Sequence, residues 1–203
     1  MQIVKPPPPH SYGYGEWGFI IAEAITILII GLTCDYGEGV APDSVMAEAD
    51  ARDMIQNWYP FFQDVHVMIF IGFGFLMTFI KTNMWTALCF NWVISAWALQ
   101  WGILSQGFWH QVIKGEESLH KISISLDKLI VADFGAGVAM ITFGAVLGRC
   151  NLQQLMFLTF WEMIWWGLNE SICAGLVKAT DAGGSSLVHL FGAYYGLAAC
   201  YFF

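Results

Sequence analysis

The stretch FFQDVHVMIFIGFGFLMTFI, residues 61–80, contains a single acid, a single histidine and no lysine or arginine. An α-helix rises 1.5 Å per residue, so a helix of this length crosses the roughly 30 Å hydrocarbon core of a bilayer. We therefore predict a transmembrane helix here. The number of times that the chain repeats this pattern then decides the fold.

Five further apolar runs surround this helix, one before it and four after it. They are residues 17–34, 87–109, 129–148, 152–177 and 184–203. An even number of membrane spans places both ends of the chain on the same side of the bilayer. The sequence predicts an all-α fold, a polytopic membrane helix bundle of about six transmembrane helices.

The overall composition agrees with a membrane protein. Of the 203 residues, 57% are apolar and 12% are charged, and a soluble domain of this length could not bury so much apolar surface. The formal charge of −8 argues against nucleic acid and favours cations as the species attracted to the surface. The five cysteines form no Cys-x-x-Cys pair, and we interpret them as small buried apolar residues.

Two polar segments frame the first apolar run. Residues 1–16 form a polar, Pro-rich tail rather than a signal peptide, because no small-residue cleavage site follows the apolar run. Residues 35–60 carry six acids and are predicted to be an aqueous loop. The last apolar run reaches Phe203 without a polar stop, so we expect an incomplete polypeptide.

Ionisable side chains inside hydrocarbon cost about 2.5–3.5 kcal/mol on insertion scales, so each needs a partner, a cavity or a function. His189 is the most informative, because Gly192 and Gly196 follow it three and seven positions later. Glycines at that spacing let a neighbouring helix approach closely, so we expect His189 to face protein rather than lipid. It is either a pore or ligand group, or a buried histidine bonded to a backbone carbonyl.

Four other residues near the ends of the apolar runs are candidate site residues. Asp181 precedes a helix start and is expected to accept its free N–H groups, a structural role that can still preorganise a site. At an aqueous mouth, Asp133 would concentrate cations and Phe134 would narrow the path; the alternative is a solvated acid beside a core Phe. Glu170 lies inside the fifth run, and its depth makes it a site candidate.

The segment YPFFQDVHVMIFIGFGFLM, residues 59–77, strongly resembles the first core helix of the Rhesus (Rh) glycoprotein family of ammonia channels, part of the ammonium transporter superfamily. Later stretches agree in the same order: ADF at 132–134, FGAVLG at 143–148, and DAGG at 181–184 followed by His189 and FGAY at 191–194. The resemblance covers nearly the whole chain but only the first half of the family.

The resemblance implies a trimer in which each subunit has its own pore between two inverted halves. Residues 17–34 match the family's extra leading helix, and residues 61–203 match the first inverted repeat, the first half of an ammonium-transporter-like domain. It places the chain in the plasma membrane with a cytoplasmic amino terminus and an extracellular 35–60 loop. A count of basic residues favours the opposite orientation, but the difference is small.

By the same resemblance, His189 matches the first of the paired pore histidines, Phe134 an aromatic gate, and Asp181 the acid that supports the site. Asp133 and Glu170 match acids that attract ammonium around the vestibules. The second histidine and the second gating Phe belong to the family's other half and are absent from this sequence.

Two positions depart from the family pattern. Val131 stands where the resemblance leads us to expect Asn, and Glu162 stands where it leads us to expect a neutral residue. The sequence offers no interpretation of Glu162. Both departures leave the pore match intact and leave the paralogue undecided.

We therefore predict a transport protein rather than an enzyme, with no cofactor and no metal. Its expected substrates are ammonium and ammonia, with methylammonium or carbon dioxide as further candidates, and its expected partners are lipid and further Rh-type subunits. The alternative is a truncated half-channel that does not conduct alone but associates with full-length Rh subunits. A haem enzyme is disfavoured, because His66, His110 and His120 lie at span ends or in loops.

Overall fold

The computed structural model describes residues 14–37, 48–115 and 119–203 and contains six principal helices. These are α1, Tyr14–Thr33; α2, Glu48–Val67; α3, Met84–Lys114; α4, Leu126–Ala145; α5, Leu152–Glu170; and α6, Phe191–Phe202. The predicted all-α bundle is confirmed. The Pro-rich tail through residue 13 and the middle of the acidic loop, 38–47, lie outside the described residues.

Shorter elements extend or join these helices. A π-helical turn, Met68–Phe73, continues α2 into a last α-helical turn, Gly74–Leu76. A second π turn, Ser171–Leu176, follows α5, and a third, Ser185–Leu190, leads into α6 after a 3₁₀ turn, Ala182–Gly184. Two short strands, β1 (Cys34–Tyr36) and β2 (Ile122–Ile124), pair in parallel.

The helices alternate in direction. The indole Nε1 of Trp97 donates to the carbonyl of Met156, and that of Trp109 donates to the carbonyl of Ile164, so α3 and α5 run parallel. The β1–β2 pair places the end of α1 beside the end of α3. The connections before α2, α4 and α6 therefore meet at one end of the bundle, which we call the strand end after β1 and β2.

Lys121 and Asp35 join the two strands at the strand end. Lys121 Nζ lies 3.0 Å from a carboxylate oxygen of Asp35, which lowers the pKa of Asp35. Both side chains are exposed, so this ion pair contributes little to stability. Its effect is to hold the end of α1 at the loop that precedes α4.

Within the part of the chain that the structure describes, three helical stretches are long and apolar enough to cross a membrane by length and composition: Asp50–Leu76, Met84–Lys114 and Leu126–Ala145. The predicted loop at 35–60 is wrong in its second half, because α2 already begins at Glu48. Acidic residues are also common on exposed helix faces, and here Asp50 and Asp53 lie on exposed turns of α2 ahead of the apolar stretch.

Small residues on α4 make it the central helix of the bundle. Ala132, Ala136 and Ala139 are almost completely buried, as is Met140. In contrast, α1 exposes large apolar side chains along much of its length, namely Trp17, Ile20, Ile21, Ile25, Ile27, Leu28 and Leu32. An apolar surface of this extent on a helix is suited to contact with hydrocarbon.

Two glycines of α6 pack directly on α4. A Cβ atom on Gly192 would lie 3.0 Å from the carbonyl oxygen of Val138. One on Gly196 would lie 2.9 Å from the Cβ of Ala145 and 3.2 Å from the Cα of Thr142. The close helix approach predicted from these glycines is therefore confirmed, and it leaves no room for a side chain.

We expect Gly196→Ala to destabilise the bundle by about 1–3 kcal/mol, because the new methyl group would force α6 away from α4. Thermal unfolding in detergent measures the effect. Gly31→Ala is the matched control, since no atom lies within 4 Å of its added Cβ. Equal unfolding temperatures for the two variants would show that the α4–α6 contact can relax without cost.

Candidate functional site

A histidine–carboxylate pair joins α3 to the end of α5 near the strand end. His110 Nε2 lies 3.1 Å from a carboxylate oxygen of Glu170. The Glu170 side chain is 12% exposed, so it is largely buried, as its place in the sequence suggested, but still reaches the surface. Glu170 can therefore contribute negative charge at this end of the bundle while His110 holds it in place.

A second pair, His66 with Asp133, joins α2 to α4. His66 Nδ1 lies 3.1 Å from both carboxylate oxygens of Asp133, whose side chain is 0% exposed, whereas the His66 side chain is 39% exposed. Phe62 and Phe70 flank the imidazole, with ring centroids 5.1 and 4.4 Å from it. The prediction that Asp133 faces an aqueous mouth is wrong, because Asp133 lies in the interior and binds an imidazole instead.

Phe134 follows Asp133 on α4 and is partly buried against the apolar core. The carboxylate next to it is held by His66, so the backbone that carries the Phe134 ring is fixed from the α2 side. The alternative interpretation was a solvated acid beside a core Phe. It is wrong for Asp133, because this side chain is buried. The proposed narrowing of a path by the ring stays a prediction.

Asp181 accepts the backbone N–H groups at the start of the third π turn. Its carboxylate oxygens lie 3.0 and 3.1 Å from Ser186 N, and one lies 2.8 Å from Leu187 N. Gly183 and Gly184 have φ angles of 77° and 72°, left-handed values that glycine adopts without strain and that turn the chain back toward Asp181. The predicted capping role of Asp181 is confirmed.

His189 is exposed in the described chain, so the glycine spacing does not bring it against another helix of this chain, and its contact with other protein stays a prediction. Its neighbour Val188 is buried instead and shares the α4-facing side with Gly192 and Gly196. The cause is the π turn Ser185–Leu190, whose wider winding changes the register that an unbroken α-helix would give. The imidazole consequently lies one position away from the packed face.

The candidate residues occupy successive depths below the strand end. Trp166, one turn before Glu170, donates its indole N–H to the carbonyl of Leu187. On α4, the Cβ position of Gly137, one turn after Asp133 and Phe134, lies 3.7 Å from a methyl group of Val188. From the strand end inward, Glu170 therefore comes first and Phe134 lies deeper. His189, next to Val188, lies about one helical turn deeper than Phe134.

Sequence reasoning missed the partners of the two acids, because His66 and His110 appeared only as histidines at span ends. The sequence did contain a signal, because each acid inside an apolar run needs a partner. His66 and His110 were the histidines at a similar depth in the membrane to these acids. Among residues 14–37, 48–115 and 119–203, no group of three or more His, Cys, Asp or Glu side chains could hold a metal ion.

We expect Asp181→Ala to lower the unfolding temperature, because two backbone N–H groups lose their acceptor. Backbone hydrogen bonds lower the pKa of Asp181, and the bond from Leu187 N has the largest effect. A carboxylate with a lowered pKa stabilises the fold above its unfolded-state pKa, and this contribution is lost as pH falls through the folded-state value. The difference from wild type should therefore shrink on acidification, as measured by thermal unfolding in detergent.

Asp181→Asn is the matched control for that experiment. Its amide oxygen still accepts a hydrogen bond but does not titrate, so its unfolding temperature relative to Asp181→Ala should not follow the carboxylate's pH dependence. A wild-type advantage over Asp181→Ala that stays constant as the pH is lowered would contradict the assigned role.

We expect His66→Ala to cost about 1–3 kcal/mol, because it leaves the buried carboxyl group of Asp133 without its partner. A double-mutant cycle with Asp133→Ala should give a coupling energy of about 0.5–3 kcal/mol. Asp64→Ala, an exposed acid two residues from His66, serves as the control and should change stability by less than about 0.5 kcal/mol. Additive effects of the two site variants would show that the pair contributes nothing.

Known proteins are similar to this chain over most of its length. The Ammonium Transporter Family matches residues 25–203. An ammonium transporter Rh type B-A from Xenopus laevis is 50% identical over 193 residues, which cover 88% of this chain and 39% of the relative. An Rh type B transporter from Oryzias latipes is 40% identical over 183 residues, covering 87% of this chain and 38% of that protein.

An ammonium transporter Rh type C from Canis lupus familiaris is 38% identical over 184 residues, covering 88% of this chain and 39% of the relative. The chain thus spans about two fifths of the length of these curated relatives. The matched residues include the helices that carry Glu170, Phe134 and His189. The chain belongs to the ammonium transporter family.

Proposed function

We propose that this chain takes part in the transmembrane transport of ammonium and ammonia as an Rh-type channel component. The observation that carries the proposal is the order in depth of an acid, an aromatic ring and an imidazole: Glu170, Phe134 and His189. The ammonium transporters of type B and type C among the relatives support the choice of substrate.

The physical reason for this order is the cost of desolvation. An ammonium ion that enters an apolar passage loses hydration worth several kcal/mol even after relaxation, whereas neutral ammonia loses far less. Releasing a proton before entry is therefore the less costly route. A negative charge is useful only at the mouth, where it raises the local concentration of the cation.

Each residue then has a separate role. Glu170, partly exposed at the strand end, attracts ammonium. Phe134 restricts water, and its neighbour Asp133, buried against His66, positions the helix instead of recruiting cations. His189 offers an imidazole nitrogen as a hydrogen-bonding partner for ammonia, and Asp181 keeps the turn that carries it in place.

In the assembly that we propose, further Rh-type subunits complete the arrangement. The exposed His189 ring would line a conduit whose opposite wall comes from other residues. A homotrimer in the plasma membrane, with a cytoplasmic amino terminus, is the arrangement that the family resemblance favours. Methylammonium should follow the same path as ammonia, and carbon dioxide is a further candidate.

A second candidate function follows from the same exposed imidazole. A polar ring on the outside of an apolar bundle is unfavourable in lipid, so a chain acting alone would be expected to associate with a partner. In that case the chain is a half-channel that does not conduct independently but binds longer Rh-type subunits.

We expect His189→Ala to slow ammonia entry about tenfold, the factor that corresponds to the loss of one hydrogen bond of ~1.4 kcal/mol. The measurement uses liposomes that contain the purified chain and a pH-sensitive dye, in which an imposed ammonium gradient makes the interior alkaline. His120→Ala is the matched control, since this histidine lies between α3 and β2.

Two outcomes would be adverse. Equal rates for wild type and His189→Ala would contradict the role of the imidazole. Rates no faster than those of empty liposomes would contradict conduction by this chain alone, and co-purification with a full-length Rh protein would then support the half-channel candidate.

A further inference from the structure

Glu162 occupies a completely buried position at the contact of three helices. It lies on α5, is 0% exposed, and one carboxyl oxygen forms a hydrogen bond with the hydroxyl of Thr142 on α4. The other oxygen, Oε2, is buried without a hydrogen-bond partner in the described chain. No lysine, arginine or histidine forms an ion pair with Glu162 among residues 14–37, 48–115 and 119–203.

The hydroxyl of Thr142 decides which group donates. Its oxygen lies within hydrogen-bonding distance of Glu162 and also 3.1 Å from the carbonyl oxygen of Gly192 on α6. A threonine hydroxyl has one hydrogen and can serve only one of these oxygens. If Glu162 were a carboxylate, the Thr142 hydrogen could point to Glu162 or to the Gly192 carbonyl, but not to both. The contact without the hydrogen would then hold two acceptor oxygens together in the interior. A proton on the carboxyl group removes the conflict.

We propose that Glu162 is a neutral carboxylic acid that donates to Thr142 and, through the hydrogen bond from Thr142 to Gly192, positions the helix that carries His189. The proton lies on the oxygen that faces Thr142, and the Thr142 hydroxyl hydrogen goes to the Gly192 carbonyl. The unpartnered Oε2 is then a carbonyl oxygen, which is far less costly to bury than a carboxylate.

This relay acts at the point where α6 needs to be held. Gly192 is three residues after His189, and it packs on α4 against the carbonyl oxygen of Val138 and the side chain of Ile141. The hydrogen bond from Thr142 adds a directional contact close to His189, whereas the other hydrogen bond between these helices, from Cys200 to the carbonyl of Ala145, lies further along α6. Glu162 is a positioning residue, and its role in conduction rests on the proposed function of His189.

The first test is spectroscopic and does not depend on transport. Infrared spectra of the purified chain at neutral pH should contain a protonated-carboxyl band that is lost in Glu162→Gln and shifted in Thr142→Val, since valine removes the acceptor. A spectrum in which Glu162→Gln leaves the protonated-carboxyl region unchanged would overturn the proposal. An ionised carboxylate at position 162 predicts no such band.

The second test compares variants that keep or remove the donor. Glu162→Gln retains a donor of similar size and should keep the wild-type unfolding temperature and the wild-type NMR signal of the His189 imidazole. Glu162→Leu should lower the unfolding temperature and shift the NMR signal. Thr142→Val should reproduce both effects, so the comparison survives if the leucine variant does not fold. If Glu162→Gln lost as much stability as Thr142→Val, the proposal that Glu162 is a neutral acid would be refuted.

Transport measurements separate the two proposals. If the spectra and stabilities agree with a neutral donor but His189→Ala does not affect ammonia entry, the relay stands and the proposed function fails. If His189→Ala slows entry but Glu162→Gln and Thr142→Val both match wild type in every measurement, the function stands and the relay is refuted.

Discussion

Hydrocarbon supplies no hydrogen bonds, and this constraint organises the polar side chains of the bundle. Glu23 on α1 accepts a hydrogen bond of 2.7 Å from the Gln100 side chain on α3, which joins the first helix to the rest. His66 and Asp133 join α2 to α4 in the same way. In each pair the partner comes from another helix, so satisfying the polar group also fixes how two helices lie against each other.

The same constraint explains how the bundle tolerates its π turns. Wider winding leaves backbone carbonyls less regularly bonded, and side-chain donors from neighbouring helices reach these carbonyls. The indole N–H of Trp92 donates to Phe70 in the first π turn, and that of Trp166 donates to Leu187 in the third. These tryptophans therefore support irregular backbone at depth, in addition to any role at the membrane interface.

Length and hydropathy were sufficient to predict the helices except for the first part of α2, and the resemblance was sufficient to predict the family. The capping role of Asp181 and the close packing of Gly196 were also predictable, because each depends on residues nearby in the sequence or on a fixed helical spacing. The side on which His189 lies was not, because no residue type marks a π turn. The pairing of His66 with Asp133 spans 67 positions, and no local pattern encodes it.

His189 stands apart from the other ionisable groups of the site. Three acids of the bundle are engaged: Asp133 with an imidazole, Asp181 with backbone N–H groups, and Glu162 with a hydroxyl. In the part of the chain that the structure describes, no hydrogen bond engages the His189 ring.

A cation beside His189 would therefore find these three acids already engaged, whereas a neutral base would meet an available imidazole. In the proposed function, Glu170 therefore supplies negative charge at the strand end, and His189 supplies a hydrogen-bonding group further in. Ammonium and ammonia would then differ in free energy beside His189. This difference would follow from how the acids are paired rather than from how many acids the sequence contains.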